Sequence, residues 1–246
     1  MAINWIESRV IDQIKWTNDL VSIKFENKIP PYTAGQFTKI GLKVDGELIS
    51  RPYSLVSSPS EDFLEVIYVN VPDGKLTPKL HALKKDDILY VMDKPSGFFI
   101  MDEVPEGDKL WLVATGTGLG VFISLLKTDA PWDRFKEIVL IHGVRTSGEL
   151  AYQNQIDEFK KQHPNQLKYI QTVTREKIEN TLNSRIPDAI KDNSITDICG
   201  SIDNRSQFML CGNPDMINDM VSLLGEYGLE RNRRSKPGNI TLEKYW

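Results

Sequence analysis

Cysteine, histidine and long apolar segments are all scarce in this 246-residue sequence, and each scarcity excludes a class of protein. The only two cysteines, Cys199 and Cys211, form no close-spaced pair, so the chain lacks both a disulfide framework and the cysteine set of an iron–sulfur cluster. No apolar run approaches the roughly 20 residues that span a bilayer. The histidines are scattered, which makes a metal site unexpected; they are His81, His142 and His163.

A large excess of charge of one sign is also lacking. The 30 Lys and Arg residues nearly balance 34 Asp and Glu, for a net charge of −4. Nucleic acids and anionic membranes bind broad basic surfaces, so neither partner is expected. The first residues lack the apolar core of a signal peptide, and the cysteine usage fits a reducing compartment. We therefore expect a cytoplasmic, monomeric protein with a substantial hydrophobic core.

The first part of the chain has the pattern of an antiparallel β domain. Apolar and polar residues alternate with a period near two at 10–14, 21–25, 37–40 and 63–69, which predicts strands. Asp45-Gly46 is a hairpin signal, and Thr77-Pro78 predicts the start of a helix that Thr77 caps. Short strands at this spacing predict a small antiparallel barrel over residues 1–102.

The pattern changes after residue 105. Continuous apolar strands are predicted at 109–114, 138–142, 167–173 and 207–211, with helices after the first and at 153–161 and 216–227. Strands buried on both faces that alternate with helices indicate a parallel sheet of the nucleotide-binding type. The sequence therefore predicts a second, α/β domain over residues 103–246.

A glycine-rich turn, Thr115-Gly116-Thr117-Gly118-Leu119-Gly120, joins the first of these strands to its helix. Glycines let a phosphate approach the backbone, and a helix N-terminus supplies free N–H groups. Many such turns carry glycines only for packing, so this segment alone supports a nucleotide site and a packing role equally.

Three arginines follow the predicted strands where an NAD site usually places an acidic residue: Arg145, Arg175 and Arg185. A guanidinium fork fits phosphate oxygens, so the three together predict a 2′-phosphate clamp and a preference for NADP over NAD. For any single one of them, a solvated loop arginine is the stronger interpretation.

Two further segments carry candidate chemistry. Arg51-Pro52-Tyr53-Ser54 combines a cation for a diphosphate, a ring for an isoalloxazine and a hydroxyl for a ring nitrogen. Taken alone, an exposed arginine and a core tyrosine would explain it equally simply. Asp73-Gly74-Lys75-Leu76-Thr77-Pro78 adds a second possible phosphate cradle. Cys211 ends a predicted strand and should point into the crevice, but with no base evident beside it a small buried hydrophobe is the alternative.

Together these segments resemble the ferredoxin–NADP reductase superfamily, and within it the bacterial ferredoxin/flavodoxin–NADP reductases. The resemblance covers essentially the whole chain. It lies in PYTAGQFTK at 31–39, RPYS at 51–54, VPDGKLTP at 71–78, GFF at 97–99, ATGTG at 114–118, CGNP at 211–214 and the terminal Tyr245-Trp246.

The resemblance implies a Greek-key FAD barrel, an NADP-binding α/β domain and a C-terminal tail that returns to FAD. The implied catalytic residues are Tyr53 against the flavin ring, Ser54 near its N5 and Cys211 near the nicotinamide. The implied FAD contacts are Arg51, Pro52, Tyr53, Ser54, Tyr68, Val69, Gly74, Lys75, Leu76, Thr77, Thr117, Tyr245 and Trp246. The implied NADP contacts are Thr117, Gly118, Arg145, Arg175, Arg185, Cys211, Gly212, Asn213 and Asp215.

Two residues depart from the family pattern. Val121 stands where relatives commonly carry Pro, and Pro52 where they often carry a small residue such as Ala. Neither change removes a polar contact, so we expect altered loop geometry and retained binding.

The expected activity is hydride transfer from NADPH to FAD, followed by single-electron transfer to ferredoxin or flavodoxin. Because the chain has no cluster cysteines, its electrons must leave for a separate carrier. A basic stretch near the C-terminus would steer an acidic carrier, with a solvated tail as the alternative; its members are Arg231, Arg233, Arg234, Lys236 and Lys244. Two other functions stay open: an NAD(P)H-dependent flavin or quinone reductase of the same superfamily, and a non-catalytic flavin-binding regulatory module.

Overall fold

The computed structural model describes residues 4–245. Its first half is a six-stranded antiparallel sheet with the order β4-β3-β6-β1-β2-β5. The two outermost strands approach each other where Val56 N donates to Glu65 O at 2.8 Å, which closes the sheet toward a barrel. The predicted antiparallel barrel is confirmed. The strands are β1 (Trp5–Lys15), β2 (Leu20–Glu26), β3 (Phe37–Val44), β4 (Glu47–Ser54), β5 (Phe63–Val69) and β6 (Ile88–Met92).

Local sequence explains the β3–β4 hairpin. Asp45 and Gly46 both have positive φ, 51° and 85°, between the paired residues Val44 and Glu47. Asp and Gly tolerate this conformation, and it matches the twist of a two-residue hairpin. The turn predicted at Asp45-Gly46 is therefore present.

The helix α1 (Thr77–Ala82) begins as predicted, but its predicted cap is wrong. Leu76 occupies the N-cap position and no side chain caps the helix. The Thr77 hydroxyl instead accepts a hydrogen bond from Val71 N at 2.9 Å. Thr77 therefore fixes the turn that precedes the helix, and Pro78 lies in the first helical turn as expected.

The second half is a five-stranded parallel sheet with the order β11-β10-β7-β8-β9, which confirms the α/β prediction. Its fifth strand, β11, follows the basic residues 231–236, ends at Lys244 and was expected to be a tail. The strands are β7 (Lys109–Thr115), β8 (Glu137–Val144), β9 (Leu167–Val173), β10 (Ser206–Gly212) and β11 (Ile240–Lys244). The helices are α2 (Leu119–Leu126), α3 (Ala130–Arg134), α4 (Gln153–Gln162), α5 (Ile186–Lys191), α6 (Thr196–Cys199) and α7 (Pro214–Glu226).

One hydrophobic core is shared by the barrel and the parallel sheet. It combines α2 and strands β7 and β8 with barrel residues such as Val56 and Ile67. At Gly120 in α2, a Cβ would lie 2.8 Å from Ile67 Cγ2 and 2.9 Å from Val56 Cγ2. The helix therefore lies directly on the barrel, and only glycine permits that approach.

A buried polar network also crosses the junction. The Tyr152 hydroxyl, from the second domain, donates to Glu65 Oε1 at 2.8 Å and lies 2.6 Å from Ser22 Oγ. Ser22 in turn accepts from Trp16 Nε1 at 2.8 Å. Tyr152 has φ of +60°, a conformation uncommon for a bulky residue, which the surrounding contacts must maintain. The network therefore holds the two domains in one orientation.

No helix within residues 4–245 has the length and apolar character needed to cross a bilayer. The same residues contain no group of three or more His, Cys, Asp and Glu side chains placed to hold a metal ion.

Candidate functional site

Residues of both domains meet in one cluster at the carboxyl ends of the parallel strands, which we call the junction cluster: Ser54, Cys211, Glu243 and Tyr245. Ser54 ends β4 and donates from its Oγ to Glu243 Oε1 at 3.0 Å. Cys211 and Glu243 are partners in the parallel β10–β11 register. Tyr245 N donates to Gly212 O at 3.0 Å, which brings the chain end back to β10. Two of the three predicted catalytic residues, Ser54 and Cys211, therefore lie in this cluster.

Burial governs the protonation of the junction cluster. It raises the pKa of the Glu243 carboxyl, against the opposing effect of the hydrogen bond from Ser54. Burial and the nearby Glu243 raise the pKa of the Cys211 thiol well above its usual value. Burial likewise raises the pKa of Tyr245, whose hydroxyl end is enclosed although the residue as a whole is only half-buried. The thiol and phenol are therefore neutral, and Cys211 is not an activated nucleophile.

The predicted flavin seat on β4 has an aromatic wall. Tyr53, the third predicted catalytic residue, is half-buried and meets Tyr68 edge-to-face, with ring centroids 6.3 Å apart. The Tyr68 hydroxyl is buried and has no hydrogen-bond partner among the described residues. Buried polar atoms rarely stay unpaired, so this hydroxyl marks a place for a ligand's polar group. Arg51 and Pro52 are exposed on the same strand, and Val69 is exposed at the end of β5.

The second predicted phosphate cradle is a tight turn before α1. Gly74 N donates to Val71 O at 2.8 Å, and a Cβ at Gly74 would lie 2.9 Å from that same oxygen. Lys75 is exposed, so its ammonium is available to an anion. Leu76 belongs to the barrel core, so it can offer a ligand only its backbone.

The glycine turn after β7 lies against the end of β10. A Cβ at Gly118 would lie 2.5 Å from Cys211 O, and Gly212, with φ of +128°, leaves no room for a side chain beside Thr115. Thr115 Oγ1 also accepts from Asn213 N at 2.8 Å. Glycine at these positions keeps the backbone of both loops bare, as close approach to a dinucleotide requires. Thr117 lies in the turn and is 5% exposed.

Asn213 and Asp215 serve the helix that follows this loop. The Asn213 side chain accepts from Asp215 N at 2.7 Å and Met216 N at 3.3 Å, which caps α7. Its side-chain oxygen is therefore committed to the helix, so a contact to NADP would use its other groups. Asp215 is exposed at the start of α7.

The structure brings the three predicted arginine loops to one edge of the sheet. Arg175 N donates to Arg145 O at 2.9 Å, so the loops after β8 and β9 run side by side. Arg185 occupies the N-cap position of α5, in the segment that returns to β9. All three are exposed, and within residues 4–245 none of their guanidinium groups forms an ion pair.

The structure adds two residues that sequence reasoning missed. Glu243 could not be singled out because its partner Ser54 lies in the other domain. His142 lies under the glycine turn, with Nε2 3.1 Å from Gly116 O. Burial lowers the pKa of His142 to about 4, so the ring is neutral and donates to that carbonyl. Its signal was visible as a histidine ending an otherwise apolar strand.

Two positions that the sequence singled out, Val121 and Trp246, lie outside the flavin and arginine segments. Val121, where relatives commonly carry Pro, is fully buried in the shared core, so it serves packing. Trp246, expected to contact FAD, lies outside the described residues.

Comparison with known proteins places this arrangement among two-domain flavoprotein oxidoreductases. A family model described as the oxidoreductase FAD-binding domain matches residues 9–99, and the oxidoreductase NAD-binding domain matches residues 112–222. The flavodoxin/ferredoxin–NADP reductases of Shigella flexneri and Escherichia coli (strain K12) are each 40% identical over 246 residues, covering 99% of both chains. A ferredoxin NADP+ reductase structure from Neisseria gonorrhoeae with bound FAD and NADP superposes with a TM-score of 0.93 at 26% identity, covering 98% of this chain and 99% of that one. The chain belongs to the flavodoxin/ferredoxin–NADP reductase family.

Proposed function

We propose that this protein oxidises NADPH and delivers the electrons, through FAD, to flavodoxin or ferredoxin. The junction cluster carries the proposal, because it joins the end of the predicted flavin strand to the end of the predicted nicotinamide strand. Hydride transfer requires the two reacting rings at about 3–3.5 Å. Ser54 reaches the edge of the parallel sheet at Glu243 and Cys211, and the flavin and nicotinamide rings can come together at that place.

The residues present fit FAD. Tyr53 and Tyr68 provide a ring wall and an unpaired buried hydroxyl, and Arg51 and Lys75 provide exposed cations for the pyrophosphate. The bare turn at Gly74 adds backbone for the same anion. When bound, FAD supplies the redox chemistry, since it accepts a hydride and gives up electrons one at a time.

The junction cluster handles the proton that this reaction releases. Each NADPH gives up a hydride, which is two electrons and one proton, whereas two one-electron carriers take only the electrons. One proton per NADPH must therefore reach solvent. Ser54 Oγ donates to Glu243 Oε1, and Glu243 is half-buried with a raised pKa, so this carboxyl can take the proton and pass it outward.

The exposed arginine loops account for the choice of coenzyme. Arg145 and Arg175 lie on adjacent loops, and Arg185 starts α5 beside them. Their guanidinium groups are free of ion pairs within the described chain, so they are available to a 2′-phosphate. This supports NADPH as the coenzyme.

A basic hairpin beside β11 supports an acidic protein as the acceptor. Arg233 and Lys236 exchange backbone hydrogen bonds, and Asn232 N donates to Ile240 O at 2.8 Å. Residues 231–236 of the basic stretch thus form an anchored hairpin and not a free tail, and the hairpin adjoins β11, the strand that carries Glu243 and ends at Lys244. Three cations of the basic stretch have partners: Arg234 with Glu103, Lys236 with Glu230, and Lys244 with Asn218.

The remaining cations of the hairpin, Arg231 and Arg233, are exposed. Arg234 stacks on Phe98, with its guanidinium carbon 3.5 Å from the ring centroid, and Phe98 is 60% exposed. An exposed aromatic beside positive charge is suited to a protein partner of opposite charge.

The cytoplasmic location and monomeric state expected from the sequence stay predictions.

Carrier-dependent NADPH oxidation by the FAD-loaded protein tests the proposal. We expect NADPH to decrease the flavin absorbance within milliseconds to seconds, and flavodoxin or ferredoxin to restore it. Faster reoxidation by a free flavin or a quinone than by either carrier would overturn the assigned acceptor. A flavin that NADPH leaves oxidised would overturn the enzymatic function itself.

A further inference from the structure

The three arginine loops are joined to one another by hydrogen bonds of the side chains of Glu176 and Asn183. We propose that Glu176 and Asn183 are positioning residues that hold these loops in the arrangement that selects a 2′-phosphate. The inference rests on the proposed function of the arginines as a phosphate clamp.

Glu176 joins the loop after β9 to the loop after β8. Its Oε2 accepts from Ser147 N at 2.8 Å. Backbone bonds between the same two loops come just before it, from Thr174 N to Val144 O at 3.1 Å and from Arg175 N to Arg145 O. The carboxylate of Glu176 therefore extends the strand pairing beyond the sheet and ties down the segment that follows Arg145.

Asn183 joins the segment bearing Arg185 to the same loop. Its Nδ2 donates to Val173 O at 2.7 Å and to Glu176 O at 2.8 Å. A side-chain amide has two donor hydrogens, so both are used in this link. Arg185 follows two positions later and begins α5, so the Asn183 amide sets where that helix starts relative to β9.

The charge of Glu176 distinguishes positioning from electrostatic attraction. The hydrogen bond from the Ser147 backbone lowers the pKa of Glu176, so its carboxyl is ionised at neutral pH. A carboxylate beside a phosphate site opposes the binding of a dianion. Any benefit that Glu176 gives to phosphate binding must therefore come from the hydrogen bond it accepts. Replacement by Gln keeps an acceptor oxygen and removes the charge, whereas Ala removes both.

The test compares Glu176→Ala, Glu176→Gln and Asn183→Ala with the unchanged protein. Two quantities are measured: the ratio of kcat/KM for NADPH to that for NADH, and the Kd of 2′-phospho-AMP against that of AMP by calorimetry. Calorimetry needs no turnover, so it measures the affinity of the arginine loops for the 2′-phosphate directly. Thr181→Ala is the matched control, because the hydrogen bond that the Thr181 hydroxyl donates, to Ile178 O, stays within the same loop.

We expect Glu176→Ala and Asn183→Ala each to lower the NADPH/NADH ratio about 5- to 10-fold, as loss of one net hydrogen bond would. The change should lie in the KM for NADPH and in the Kd of 2′-phospho-AMP, with NADH and AMP unaffected. Glu176→Gln should keep or raise the ratio, and Thr181→Ala should leave it within about 2-fold. Should one alanine variant fail to fold, the other decides, since each breaks a different link.

The contrary outcomes are distinct. Equal losses for NADPH and NADH would show that the two residues only support the fold, which overturns the inference. A Gln variant as impaired as the Ala variant at position 176 would also overturn it, because the hydrogen bond would then not be the cause. If the unchanged protein does not prefer NADPH, or if Arg145→Ala leaves the preference intact, the proposed clamp itself fails.

Discussion

The junction cluster and the arginine loops lie at the same edge of the parallel sheet, but they differ in burial and in hydrogen bonding. In the junction cluster the polar groups are buried or half-buried and bonded to one another, as Ser54 is to Glu243, and burial raises the pKa of the Glu243 carboxyl and of the Cys211 thiol. At the arginine loops the guanidinium groups are exposed and, within the described chain, form no ion pair. Burying an unpaired charge costs several kcal/mol, whereas an exposed arginine stays hydrated until a ligand arrives.

This difference matches the two kinds of cofactor that we propose. A resident flavin suits an enclosed site whose groups are already positioned by their hydrogen bonds. An exchanged coenzyme suits a hydrated site whose charges attract a phosphate and release it again. Charge at the open site should therefore control selectivity between coenzymes, and charge at the enclosed site should control rate.

The largest expected effect breaks the open site. The double variant Arg145→Ala/Arg175→Ala should lower kcat/KM for NADPH about 10³-fold, because it removes two charge-assisted hydrogen-bonding groups worth roughly 1.5–3 kcal/mol each. The value for NADH, which has no 2′-phosphate, should change less than about 3-fold. Steady-state kinetics with both coenzymes measure the ratio.

Arg205→Ala is the control for that variant. Arg205 is exposed and pairs with Asp108 at 2.8 Å, near the amino ends of the parallel strands. It should leave both coenzymes unaffected. Parallel losses for NADPH and NADH in the double variant would remove the phosphate-clamp assignment.

The next effect breaks the enclosed site. Glu243→Gln should lower kcat about 10²-fold and leave the KM for NADPH unchanged, because it removes the group that takes the proton from Ser54. The carrier-linked rate should also lose the pH dependence that the raised pKa of Glu243 gives it. Stopped-flow measurements across pH distinguish slower proton transfer from weaker NADPH binding. Asn218→Ala, which removes the partner of Lys244 at the end of the same strand, should change neither; a Glu243→Gln variant with an unaltered pH profile would exclude Glu243 as the proton acceptor.

The sequence predicted what depends on local patterns and missed what depends on distant contacts. Alternating residues predicted the barrel, continuous apolar runs predicted β7 to β10, and strand-end positions predicted the arginine edge. Strand β11 was missed because its pairing with β10 is not encoded in its own five residues. Glu243 was missed for the same reason, since its hydrogen-bond partner Ser54 lies 189 positions away. The Thr77 cap was wrong because Val71, six positions away, competes for its hydroxyl.

A third, smaller effect concerns the basic hairpin beside β11, the edge strand on the opposite side of the sheet from β8 and β9. Arg231→Glu/Arg233→Glu should raise the KM for an acidic carrier about 10-fold at low salt, because these exposed cations steer its approach. The difference should shrink toward 0.5 M salt, where the screening length falls to about 4 Å. Reduction of a neutral quinone should be unchanged. The control Lys160→Glu/Lys161→Glu, at the end of α4, reverses the same charge away from the hairpin; an equal loss there would mean that net charge alone sets the carrier rate.

The smallest expected effect concerns Glu65, a carboxyl buried between the two domains and outside the junction cluster. It tests whether burial raises the pKa there as it does at Glu243. Burial raises the pKa of Glu65, although the hydrogen bond from Tyr152 and the charge of Lys24 oppose the shift. A carboxyl whose folded pKa exceeds its unfolded value near 4.5 contributes stability below that pH, and the contribution is lost as pH rises through the folded pKa. Glu65→Gln is neutral throughout, so its free energy of unfolding relative to the unchanged protein should rise as pH increases from about 4.5 to 8. Urea unfolding of both proteins across this range measures the difference. A relative stability that falls with pH would mean that the Glu65 carboxylate is stabilised in its ionised form, so that its hydrogen bond and the nearby cation outweigh burial.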